Sequence, residues 1–171
     1  MRGAARALAA VSLSTCLAVG LVACGDDDDG PSGPLVGEIA PAIDALEAEL
    51  GGPQDYFEVF ADLDKVALWV ATEDATVAVP YVWADGELSP VTDAGGDAAG
   101  ETFTADDALD FDADTILATV LDDLGDNVTK FSIIGGPGDI VRYSAIVESD
   151  RGGVLEVVVD DDGTILESGE L

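Results

Sequence analysis

One plan occurs twice along the chain, and it leaves few folds open. An amphipathic helix is followed by a glycine stop and then by runs of alternating apolar and polar residues. The first copy opens around "APAIDALEAELGGPQDYFEVF". Pro41 suits a first helical turn, Ile39, Ile43, Leu46 and Leu50 share one face, and Gly51-Gly52 ends the helix. The second opens with "FDADTILATVLDDLGDNVTKFSII". Asp112 or Asp114 can cap this helix, Ile116, Leu117, Val120, Leu121 and Leu124 form its stripe, and Gly125 ends it. Strands are predicted after each: "DYFEVFA", "KVALWVA" and "TVAVPYVWADGELSPV" in the first copy, and "NVTKFSII", "DIVRYSAIV" and "GVLEVVVDDDGTILE" in the second. Asp85-Gly86 and Asp162-Gly163 stand where hairpin turns belong.

A helix and meander of that size bury little surface alone. The expectation is therefore an α+β fold, two related helix-plus-antiparallel-meander units packed together. The first unit spans 38–91 and the second 112–171, with a connector over 92–111. The connector carries "TDAGGDAAGETFTADDALD", poor in bulky apolar residues and rich in Gly, Ala and Asp. Pro80 withholds a ladder donor, which predicts an edge or a bulge at its strand.

The N-terminus carries an address. Arg2 and Arg6 precede an apolar run that ends at "LVAC" and breaks into four aspartates, the anatomy of a secretory signal peptide over residues 1–23. The run is too short to span a bilayer comfortably, which takes about 20 apolar residues. Leu21-Val22-Ala23-Cys24 resembles the lipobox of bacterial lipoproteins. That resemblance implies a diacylglyceryl group on the Cys24 sulfur and a new N-terminus there after cleavage. Two acyl chains hold a protein stably where one does not, so the expected location is the outer face of the cell membrane, anchored through Cys24. Residues 24–37, with "GDDDDGPSGPLVGE", read as a lipidated acidic tether that keeps the domain clear of the headgroups.

Charge narrows the function. The chain holds 36 acidic residues against 6 basic ones, a formal charge of −30. Every acidic residue follows Cys24, where the only cations are Lys65, Lys130, Arg142 and Arg151. Nucleic acid is excluded as a partner, because its affinity comes largely from Lys and Arg on phosphate. So many aspartates and so few lysines also suggest adaptation to high salt, which screens self-repulsion. There is no histidine, which removes Ser-His-Asp and Cys-His catalysis and His-ligated zinc. Cys16 falls in the signal segment and Cys24 is committed to lipid, so no thiol remains for redox or metal work. "IIGGPGD" lacks the Lys-Ser/Thr of a phosphate loop and reads as a turn. "DFDADT" begins as an EF-hand loop does, but Thr115 stands where the sharp-turn glycine belongs and Leu121 where the bidentate Glu should be. No cofactor and no metal site is expected.

Residues 112–171 resemble a PepSY-like domain, on the strand, acidic turn and return strand of "GGVLEVVVDDDGTILE". The paired layout also looks like that of the β-lactamase inhibitory proteins. PepSY-like domains are secreted or envelope modules proposed to bind or restrain other proteins. Taken with the lipobox, the acidic tether, the one-sided charge and the lack of a catalytic histidine or thiol, the expectation is a lipid-anchored extracytoplasmic module that binds or inhibits an envelope or extracellular protein and is not an enzyme. The candidate partner-binding residues are Trp69, Tyr81 and Trp83, on adjacent predicted strands; rings lining the core are the competing reading. The alternatives in other classes are an extracellular hydrolase using paired carboxylates and a surface protein that binds calcium weakly through its aspartates.

Overall fold

A computed structural model describes residues 33–124, 127–138, 140–148, 152–161 and 163–171. The expected signal peptide, the lipidation site Cys24 and the aspartate run lie outside the described residues. After a 3-10 turn at Val36–Glu38, helix α1 (Ile39–Leu50) buries Ile39, Ala42, Ile43 and Leu46 and leaves Leu50 exposed. It stops at Gly51, whose left-handed backbone (φ 87°) lets the N–H groups of Gly51 and Gly52 both donate to the Glu47 carbonyl. Strands β1 (Asp55–Ala61), β2 (Val66–Thr72), β3 (Val77–Ala84) and β4 (Glu87–Pro90) come next. Asp85 and Gly86, both at positive φ, make the tight turn into β4.

The 92–111 segment contains the two-residue strands β5 (Gly96–Asp97) and β6 (Phe103–Thr104) and the short helix α2 (Ala105–Ala108). Helix α3 (Ala113–Leu124) leads into β7 (Asn127–Gly136), β8 (Ile140–Glu148), β9 (Val154–Val159) and β10 (Ile165–Glu170). Gly135 and Gly136 of "IIGGPGD" still belong to β7, so the turn starts only at Pro137.

The strands form one antiparallel sheet in the order β10-β9-β8-β7-β1-β2-β3-β4, with β5 added on β3 and β6 on β1. Strands make up 46% of the described structure and helices 23%, so the fold is mainly β. The expected α+β fold, two helix-plus-antiparallel-meander units packed together, is incorrect. Its error lies at one seam. β1 pairs antiparallel with β7, Glu58 opposite Ile134 through Ala61 opposite Phe131, so the meanders join edge to edge into a continuous sheet. Each leading strand would otherwise present a row of unpaired N–H and C=O groups. Period-two patterning reveals which face of a strand is buried but not which strand takes its edge.

Both long helices pack on the same face of this sheet. Ile43 and Leu46 of α1 and Ile116 and Val120 of α3 share one apolar core with Val59, Leu68, Phe131 and Val157. Phe111, Phe131 and Tyr143 stack with ring centroids 5.1–6.1 Å apart. The Tyr143 hydroxyl donates to the Ala108 carbonyl at 3.2 Å, which ties α2 to β8. Near the seam, β1 changes partner from β7 to β6, and a glycine makes the fork possible. A Cβ on Gly135 would lie 2.2 Å from the Glu101 carbonyl oxygen, so no larger residue fits there without moving backbone.

Candidate functional site

Strand register divides the aromatic residues singled out from the sequence between two faces. Val66, Leu68 and Val70 pair with Trp83, Tyr81 and Val79, and this set points toward the helices. Ala67, Trp69 and Ala71 pair with Val82, Pro80 and Ala78 on the opposite face. Tyr81 and Trp83 are thus half-buried against the core, and the Trp83 indole N–H donates to Glu38 Oε2 at 3.0 Å at the start of α1. Trp69 stands on the opposite face, which no helix covers among the described residues, the helix-free face of the sheet. Its indole N–H has no hydrogen-bond partner among the described residues.

A bulge enlarges the patch around it. Tyr56 pairs with Val70 and Glu58 with Trp69, so the extra residue Phe57 is turned to the same side as Glu58. Phe57, Glu58 and Trp69 line a hollow of about 450 Å³ whose far wall is residues 94–99. That wall is held by β5 on β3 and by the Ala98 N–H donating to the Thr76 carbonyl at 2.9 Å. Its approach to the sheet requires glycine, because a Cβ on Gly95 would lie 2.7 Å from the Ala78 carbonyl oxygen. Pro80 explains the break between β4 and β5. Both pair with the same side of β3, on either side of the one residue there that has no N–H to give.

The chemistry of this patch is aromatic and acidic. Glu58 is half-buried and pairs with Lys130 at 3.1 Å, and the Lys130 ammonium sits 3.9 Å from the Phe60 ring centroid. Asp97 lines the same hollow as Trp69. A carboxylate beside half-buried aromatic rings that line a hollow suits a cationic side chain, which gains from both. Pattern reading could reach Trp69 but not Phe57, because a bulge leaves no mark on an alternating sequence.

The other aspartate motifs serve the backbone. Asp112 caps α3: its carboxylate accepts from the Thr115 N–H at 3.1 Å and the Thr115 hydroxyl at 2.8 Å, and these bonds hold its pKa below the usual carboxylate value. Asp107 is held low in the same way by Thr104, with which it forms a reciprocal cap on α2. Asp160 accepts from the Thr164 N–H at 2.7 Å in the β9–β10 turn. Among the described residues, no group of three or more Asp, Glu, Cys or His side chains is placed to hold a metal ion.

No described helix is long and apolar enough to cross a membrane. The chain matches no family model and no curated protein. Its fold is similar to the crystal structure of a "putative lipoprotein" from Clostridium difficile 630, with a TM-score of 0.56 over 82% of this chain and 94% of that one. The two are 14% identical, so what they share is the fold.

Proposed function

We propose that this chain is an extracytoplasmic lipoprotein, anchored through Cys24 on the outer face of the cell membrane, that binds another protein through the helix-free face of its sheet and performs no catalysis. One observation carries the reading. The two long helices cover one face, while the other presents Trp69 and Phe57 beside Glu58 and Asp97 in a hollow on a strongly acidic molecule. Trp at the centre of a patch is a frequent anchor of binding energy, and the surrounding charge favours a partner with a basic face. The "LVAC" segment supports the anchor, as does the name of the Clostridium difficile protein with the similar fold. The resemblance of residues 112–171 to PepSY-like domains supports the binding role.

The test is cross-linked capture from the native envelope, with anchoring followed by labelling with a fatty-acid probe. Trp69→Ala is expected to weaken capture at least tenfold, and Trp83→Phe, on the helix side, to leave it unchanged. Cys24→Ser is expected to abolish labelling. Equal capture by Trp69→Ala and the parent would refute the binding face, continued labelling of Cys24→Ser the anchor, and turnover of a glycan or ester by the purified chain the non-catalytic role.

A further inference from the structure

A second hollow on the same face has a different chemistry. It has a volume of about 380 Å³ and lies at the β8–β9–β10 end of the sheet. Register fixes its layout. Ser144, Val158 and Glu167 form one row across β8, β9 and β10, and the next row on this face is Ile146, Glu156 and Gly169. Arg142 stands one step beyond Ser144 in the other direction along β8, so the guanidinium and the Glu156 carboxylate rise from opposite ends of the hollow. Ser144, Val158 and Gly169, small or apolar, make the floor.

Arg142 differs from the other described cations. Lys65 pairs with Asp62 and Asp64, and Lys130 pairs with Glu58, but Arg142 makes no ion pair or hydrogen bond among the described residues. Its stem lies along Gly136, where a Cβ would meet the Arg142 Nε at 3.3 Å and Cγ at 3.4 Å. The carboxylates of the hollow do not reach it, because strands lie about 4.8 Å apart and residues on one face about 7 Å apart along a strand. Glu167 is two strands away and Glu156 is two rows away. Opposite charges therefore face one another across a small-residue floor, too far apart to neutralise each other directly. A molecule with its own separated charges would complete both sets of bonds.

We infer that this hollow binds a free basic amino acid of the lysine or ornithine class. The planar guanidinium takes the α-carboxylate through paired N–H donors. Glu156 and Glu167 take the α-ammonium and the side-chain ammonium. The charge count selects this class over a neutral amino acid: of the three glutamates at the hollow, Glu156 and Glu167 stand on this face against one guanidinium, while Glu170, opposite Leu155, lies at the rim with its side chain on the other face of β10. It also rejects glutamate, whose second carboxylate would meet Glu156 or Glu167 unpaired. The volume falls within the range of small-molecule sites. The site is separate from the Trp69 hollow and stands without it.

Calorimetric titration of the full-length chain with L-lysine, cadaverine and norleucine tests this. Cadaverine lacks the carboxylate and norleucine lacks the second ammonium. Lysine is expected to bind at least tenfold more tightly than either. In Arg142→Gln the lysine-to-cadaverine ratio should fall to within twofold of one, and in Glu167→Gln the preference of lysine over norleucine should shrink at least fivefold. The exposed position of Arg142 makes a folded variant the expected result, and the three-ligand comparison on the wild-type chain stands without any variant. Cadaverine binding as tightly as lysine would reduce the site to a general attraction of cations and overturn the proposal. So would the absence of lysine binding, or a lysine-to-cadaverine ratio unchanged by Arg142→Gln.

Discussion

Trp69 and Tyr81 sit on neighbouring strands but on opposite faces, and alternation alone assigns each strand's faces only up to a choice of which faces inward. Within β3 the alternation was legible: Val77, Val79, Tyr81 and Trp83 share a side, as their spacing requires. Relating that side to Trp69 needed the pairing of Trp69 with Pro80, which depends on the length of the turn between the strands. Glycines show the same limit. Gly135 looks like part of a turn in "IIGGPGD", yet it is a strand residue required by the passing Glu101 carbonyl. A methyl group there cannot be absorbed by a side-chain rotation, because the atom it meets is backbone. Gly135→Ala is therefore expected to destabilise the fold by about 1–3 kcal/mol, in the range of overpacked sites. Gly96→Ala, with nothing within 4 Å of its added Cβ, should leave stability unchanged. Urea denaturation of the two variants checks both; equal midpoints would show that the β6–β7 fork opens freely.

At the scale of elements, local chemistry was the legible part. The Ile39, Ile43 and Leu46 part of the α1 stripe, the Asp85-Gly86 turn and the acidic start of α3 all arise from contacts within a few residues, and each is present, while Leu50 at the helix end is exposed. The β1–β7 seam joins residues 70 or more positions apart, as the Lys130–Glu58 ion pair does. Strands of two residues, such as β5 and β6, are too short to carry any period. The caps on α2 and α3 have a pH signature. Hydrogen bonds from Thr104 and Thr115 stabilise the ionised forms of Asp107 and Asp112, lowering both pKa values from 3.8. A carboxyl with a depressed folded pKa contributes stability that is full above its unfolded pKa and lost as pH falls through the folded value. The chain should thus lose stability as pH drops below about 4. Asp107→Asn with Asp112→Asn should be less stable near neutrality and should lose less over that acid interval. Parallel pH profiles of the melting temperature for variant and parent would show that these caps contribute nothing.

For the whole molecule the governing quantity is the charge of −30, which acts in opposite senses on folding and on capture. Self-repulsion among the carboxylates opposes the compact state. At 0.01 M salt the Debye length is about 30 Å, so most of the domain's charges repel one another; at 1 M it is about 3 Å and only near neighbours do. Added sodium chloride should therefore raise the melting temperature. The same ions screen the attraction that steers a basic partner to the Trp69 face, and there they should slow association. Rising stability with falling capture over one salt titration separates screening from denaturation, since an unfolding protein would lose both together. Calcium at matched ionic strength should add no more stability than sodium, because the aspartates of the α2 and α3 starts are already engaged by Thr104 and Thr115. A calcium increment well beyond the ionic-strength effect would mean that carboxylates of this surface converge on a cation. Capture undiminished at high salt would mean that Trp69 and Phe57 hold the partner by apolar contact alone.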